Sequence, residues 1–202
     1  MNLSLALAQD GYRTLLIDCD LRKALAHKIF NIDKEPGLTN ILLGSNKQEE
    51  AIRNLVDIMM GDISIIDDPS KMPGLDNFHL LPCGKIVINP AEVLDSAKLN
   101  ELFADLKTKY DFIVVDSPPV LPVPDTIILS RKIADKLYLV YRAGYTSRIA
   151  ILRAKEQLDM MKTVPSGLIL NSTTPESQLV SDYYHHYYHY RYYSEDEGKA
   201  KK

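Results

Sequence analysis

The chain has 202 residues, 46% of them hydrophobic, and a formal net charge of −3, enough apolar content for one buried core plus a tail but little for a second domain. Near-neutral charge without a basic stripe argues against nucleic acid as the main partner. No run approaches the roughly 18 to 20 apolar residues of a direct membrane span, and Met1-Asn2-Leu3-Ser4 lacks the basic start and cleavage site of a signal peptide, so the expectation is a cytoplasmic protein.

In chain order, Leu3, Leu5, Ala6 and Leu7 fit the end of a helix, with Gly11 where a helix stops. Thr14 to Asp18 follows as a short buried strand. Cys19 and Cys83 lie far apart without CxxC spacing, which points to plain thiols rather than a disulfide framework or a zinc site. From about Val56 to Asn77, Gly61, Pro69, Pro73, Gly74 and several aspartates predict a long loop with a short strand at Ile63 to Ile66. Asn89-Pro90 suits the cap and first turn of a helix that begins at Ala91, and Leu99 to Lys109 carries helical spacing. Asp111 to Asp116, Lys136 to Tyr141 and Gly167 to Asn171 are apolar runs, as parallel strands buried on both faces require. The helical spacing of Thr146 to Met161 separates the last two, with Arg148, Arg153, Lys155 and Glu156 outward as an ordinary solvated face. The alternation predicts an α/β fold, a mostly parallel twisted sheet with helices on both faces.

Two of the predicted strands end on an acid. In open α/β sheets ligands bind beyond the carboxyl ends of the strands, and Asp18 and Asp116 each stand at such an end. Asp20, Arg22 and Lys23 follow the first, and Ser117-Pro118-Pro119 stiffens the loop after the second. This suits Mg²⁺ with a nucleoside triphosphate: magnesium takes one or two carboxylates, keeps waters and shares phosphate oxygens, while the cations meet phosphate charge. For a single strand-end aspartate the plainer role is a helix cap or loop turn. The pair, with Asp20 and two cations, favours the metal. Asn171 ends the last predicted strand, placed either to reach an adenine edge or to cap the turn at Ser172 to Pro175.

The C-terminal segment is unlike the rest. Tyr183, Tyr184, Tyr187, Tyr188, Tyr190, Tyr192 and Tyr193 put seven tyrosines into eleven residues, against five in everything before them. Interleaved with His185, His186, His189 and Arg191, they follow neither core periodicity. The segment reads as a solvated tail whose phenol oxygens accept phosphate, each phosphorylation adding roughly −1.5 to −2 charges. The three histidines have no carboxylate or thiol partner at defined spacing, so a metal site there is disfavoured.

Leu16 to Lys23 resembles the Walker A′ motif of bacterial tyrosine kinases, Phe112 to Pro119 resembles their Walker B motif, and the tail resembles their tyrosine cluster. Leu80 to Gly84 and Asn89 to Leu94 also follow the family's pattern, although Ala24 stands where the family has proline after the Arg-Lys pair. The resemblance implies a P-loop NTPase-like kinase domain over residues 1–172, a flexible tyrosine-rich tail over 173–202, and ATP and Mg²⁺ as cofactors. It implies an autokinase controlling capsular or exopolysaccharide assembly, with Asp20 and Asp116 on the metal and Asp18 as either base or second metal ligand. Partners implied are a homo-oligomer that phosphorylates tails in trans and a membrane activator of the polysaccharide co-polymerase kind, which holds the kinase at the inner face of the membrane.

One family feature is missing. No GxxxxGKS/T phosphate loop occurs in the 202 residues, and Asn2 to Ala6 resembles the helix that such a loop opens. The expectation is a domain lacking its first strand and phosphate loop, with exposed strand edges and impaired nucleotide binding. A start misplaced at an internal Met, a truncated gene product and a pseudokinase scaffold phosphorylated in trans are the explanations, the first two preferred. From another class, a partition-type or Min-type ATPase switch shares the deviant Walker architecture. It needs no tyrosines, and its usual amphipathic membrane helix has no counterpart in this tail.

Overall fold

The computed structural model describes residues 1–54 and 74–173. The expected loop strand at Ile63 to Ile66 and the tyrosine cluster lie outside the described residues. Two compact units divide the chain, Met1–Asp135 and the part from Lys136 onward.

The first unit begins with α1 (Asn2–Gln9). The helix stops as expected: Gly11 takes φ +93°, a left-handed conformation cheap only for glycine, and donates its N–H to the Ala8 carbonyl at 3.0 Å. Strand β1 (Thr14–Asp18) follows, buried along its whole length. Three short helices, α2 (Ala26–Ile29), α3 (Leu38–Leu42) and α4 (Gln48–Ala51), lead to the two-residue strand β2 (Arg53–Asn54). After a 3₁₀ turn at Leu75–Asn77 come β3 (Phe78–Leu81), α5 (Pro90–Leu94), α6 (Ala97–Lys109), β4 (Phe112–Asp116) and α7 (Asp125–Lys132).

The strands form one sheet in the order β2-β3-β1-β4. β1 is parallel to both neighbours, and only β2 runs antiparallel, against β3. Because successive strand residues point to opposite faces, Leu15 and Ile17 join one core and Leu16 the other. The larger core takes Leu38 and Leu42 of α3, Leu94 of α5, Leu99, Leu102, Phe103 and Leu106 of α6, and Leu129 of α7. The smaller takes Ala8 of α1, Ala26 of α2, and Phe78 and Leu80 of β3. Helices therefore cover both faces of β1, the one apolar run buried throughout; β4, β5 and β6, expected to be buried on both faces, are half-buried to exposed along their lengths.

β4 is an edge of this sheet: Phe112 and Asp116 reach solvent, and Tyr12 packs edge-on against Phe112 with ring centroids 5.1 Å apart.

In the second unit, β5 (Tyr138–Arg142) and β6 (Gly167–Asn171) pair in parallel as a sheet of their own, joined by α8 (Arg148–Met160). Ser147 caps α8, its hydroxyl accepting the Ala150 N–H at 3.1 Å. Ala154 and Leu158 are buried, while Arg148, Arg153, Lys155 and Glu156 face outward as expected.

Three local expectations needed adjustment. α6 begins at Ala97, two residues before the periodic stretch. α5 begins at Pro90, and the Asn89 side chain reaches Glu92 at 3.2 Å instead of capping an N–H. β3 completes the sheet without having been recognised as a strand.

Candidate active site

β1 and β4 run side by side in parallel, residue for residue, from Thr14 opposite Phe112 to Asp18 opposite Asp116. The ladder continues one step further, where Cys19 donates its N–H to the Asp116 carbonyl at 2.8 Å. Two carboxylates that lie 98 positions apart in sequence thus emerge at neighbouring strand ends.

Asp18 is buried, with 1% of its surface exposed. Its carboxylate accepts the N–H groups of Asp20 at 3.2 Å, Leu25 at 3.2 Å and Ala26 at 3.1 Å. It therefore draws the loop after β1 into a turn and seats the start of α2. Asp20 repeats the device one step out, accepting the N–H of Arg22 at 3.1 Å and of Lys23 at 2.8 Å. Side chains of this kind order turns by taking backbone donors two or three residues ahead. The Asp18 pKa is raised, chiefly by burial and further by the charge of Asp116, with the backbone bonds opposing. That of Asp116 is raised chiefly by lost hydration; the Met1 amino group opposes and the Asp20 charge adds to the rise. The three carboxylates therefore share one electrostatic field.

Arg22 does not extend freely. Its Nε and Nη2 donate to the two carboxylate oxygens of Asp125 at 2.9 and 3.1 Å, a bidentate fork. The Asp125 side chain is fully buried, that of Arg22 39% exposed. Lys23 is exposed. Asn171, in the second unit, accepts the Ser172 N–H on Oδ1 at 2.8 Å, the turn-capping arrangement, while its backbone carbonyl accepts the Ala143 N–H.

Asp125 and its neighbour Thr126 escaped the sequence reading. Thr126 donates its hydroxyl to the Pro118 carbonyl and lies 3.3 Å from Ser117 Oγ. The available signal, an acid in the first turn of a helix after proline, is common to many helices.

Among the described residues no three or more His, Cys, Asp or Glu side chains cluster as an all-protein metal cage. Two carboxylates in a shared negative field are instead the donor set magnesium uses when waters and phosphate oxygens supply the remaining ligands. The residues present fit that ion.

A family model described as an AAA domain matches residues 1–163. The tyrosine-protein kinase YwqD of Bacillus subtilis (strain 168) is 34% identical over 183 residues, covering 91% of this chain and 69% of that protein. The tyrosine-protein kinase wzc of Salmonella typhi is 31% identical over 182 residues; the match covers 90% of this chain and spans 23% of that protein's length. Among solved structures, the VpsO kinase domain superposes with a TM-score of 0.71 at 34% identity, over 86% of this chain and 76% of that one. The septum site-determining protein MinD of Pyrococcus horikoshii OT3, complexed with Mg-ADP, gives 0.59 at 25% identity, over 87% and 67%. With its paired strand-end carboxylates and these likenesses over most of its length, the chain belongs to the bacterial tyrosine-protein kinase family.

Proposed function

We propose that the chain is the catalytic region of an ATP-dependent protein-tyrosine autokinase that regulates capsular or exopolysaccharide synthesis and export. The observation that carries this reading is the pairing of Asp18 with Asp116 across β1 and β4, in a chain that also carries seven clustered tyrosines. Asp20 and Asp116 are the residues to hold Mg²⁺, which when bound neutralises phosphate charge and aligns the transferring group. Asp18 keeps two roles open, base or second ligand; its raised pKa suits proton acceptance, and its three N–H bonds anchor the loop that presents Asp20. Lys23, exposed, is the better placed cation for phosphate, since the Arg22 guanidinium is engaged with Asp125. For Asn171 the two readings are an adenine contact and a turn cap, and its Oδ1, which accepts the Ser172 N–H, supports the cap.

The acceptors are Tyr183, Tyr184, Tyr187, Tyr188, Tyr190, Tyr192 and Tyr193, phosphorylated in trans within a homo-oligomer. Accumulated phosphate then repels itself and the acidic site, weakening the assembly. A membrane activator of the polysaccharide co-polymerase kind holds the kinase at the inner face of the membrane.

Phosphotyrosine mass spectrometry on the protein from its own cells tests this reading, comparing the native chain with Asp116→Asn. Expected are several phosphorylated tail tyrosines, with signal about 100-fold lower or less in the variant, the scale on which loss of one charge-stabilising group acts. A native tail without phosphate overturns the kinase reading and leaves the Min-type ATPase switch, which the MinD likeness favours. A tail equally phosphorylated in both forms makes the chain a scaffold modified by a sister kinase.

A further inference from the structure

We propose that the first turn of α7 is a clasp that sets the spacing of the two carboxylate loops, with Asp125 and Thr126 as positioning residues for Asp20 and Asp116. The proposal rests on the reading of that pair as the magnesium carboxylates, and its geometry lies wholly within the first unit. Asp20 orders its loop by accepting the N–H groups of Arg22 and Lys23. The side chain of that same Arg22 is fixed at its far end to Asp125, through two bonds of 2.9 and 3.1 Å. One residue on, Thr126 holds the other loop, donating to the carbonyl of Pro118 and lying 3.3 Å from the hydroxyl of Ser117, the residue next to Asp116. Consecutive residues of one helical turn thus grip both loops, one by charge and one by hydroxyl.

The grip is rigid for physical reasons. Asp125 is fully buried and Thr126 nearly so, and Leu129, one turn further along α7, is seated in the larger core. A bidentate guanidinium fork fixes orientation as well as distance. The alternative is a buried carboxylate whose only role is to anchor its own helix. Asp125 instead spends both oxygens on an arginine 103 positions away in sequence, whose side chain is 39% exposed. Two carboxylates that share a small, hard cation need their separation fixed closely, since magnesium demands near-ideal octahedral geometry at short bond lengths.

The test uses residues 1–202 carrying Asp125→Asn, Thr126→Val or Thr126→Ser, with residue-resolved amide exchange as the first readout. Asp125→Asn is expected to speed exchange at Asp20, Arg22, Lys23, Leu25 and Ala26 about tenfold or more relative to β1 and α6. Thr126→Val does the same at Ser117 and Val120, and Thr126→Ser, which keeps the hydroxyl, restores native rates. Loop rates that stay native, or that rise only in step with β1 and α6, overturn the clasp. If Asp125→Asn does not fold, the valine and serine variants of Thr126 decide it. The second readout is electron paramagnetic resonance titration with Mn²⁺ as the magnesium stand-in. Affinity is expected to fall several-fold in Asp125→Asn and Thr126→Val and to stay native in Thr126→Ser. A native chain that takes up no Mn²⁺ even with saturating ATP overturns the magnesium reading of Asp20 and Asp116, whereas the exchange rates judge the clasp separately.

Discussion

His79 shows how one side chain writes a pH dependence into the fold. It lies on β3, half-buried, with its ring edge-on to Tyr110 at 5.4 Å, and Arg13 lies over the same tyrosine at 5.8 Å. Burial lowers its pKa below the usual imidazole range; the Asn77 backbone opposes and the Arg13 charge assists. The folded ring therefore resists a proton that the unfolded chain accepts near pH 6.5. Stability is full above that pH and declines as pH falls toward the lower folded value. His27 shifts in the same direction, chiefly through burial, so the two act together. The urea midpoint is expected to drop between pH 7 and pH 5, and His79→Gln to flatten part of that drop; an unchanged slope in the variant would assign the effect elsewhere. At this scale the acids at strand ends were readable, because an apolar run that stops on Asp18 or Asp116 marks the carboxyl end of a strand, where open α/β sheets bind ligands. Asp125 was not, since its partner Arg22 is 103 positions distant and no local pattern encodes that contact.

Among the elements, α6 was the most legible and offers the cleanest energetic test. Leu99, Leu102, Phe103 and Leu106 recur at the helical spacing expected of Leu99 to Lys109 and are all buried in the larger core. Leu106→Ala is expected to destabilise the first unit by about 2–5 kcal/mol, the range for a large-to-small change at a packed site. Glu101→Ala on the exposed face is expected to stay within about 0.5 kcal/mol. Urea denaturation of both variants checks the pair, and equal effects would mean that α6 does not supply the core. The elements that escaped recognition are short. β3 has four residues with His79 among them, too few to establish a period. α7 follows Pro119, Pro122 and Pro124, a context that reads as loop, and opens with two polar residues that are buried because they hold the carboxylate loops.

For the whole molecule, the deciding quantity is nucleotide affinity. Bacterial tyrosine kinases resemble other P-loop proteins in cradling triphosphate on a glycine-rich loop, with backbone N–H groups, a lysine and a helix N-terminus meeting the phosphates, and residues 1–202 contain no such sequence. The described carboxylates can offer ligands to magnesium, and Lys23 a single flexible charge, but neither substitutes for a ring of oriented N–H donors. The polypeptide of residues 1–202 is therefore expected to bind Mg·ATP at millimolar concentration or weaker, where each tenfold loss in affinity corresponds to about 1.4 kcal/mol. Isothermal titration calorimetry measures this directly. Micromolar binding would show that the strand-end carboxylates and the Asp20 loop suffice without the glycine-rich cradle, and would overturn the expectation of impaired activity. Weak binding by this polypeptide, together with a phosphorylated tail on the protein from its own cells, would place the phosphate cradle outside these 202 residues, on a longer chain or on a neighbouring subunit that acts in trans.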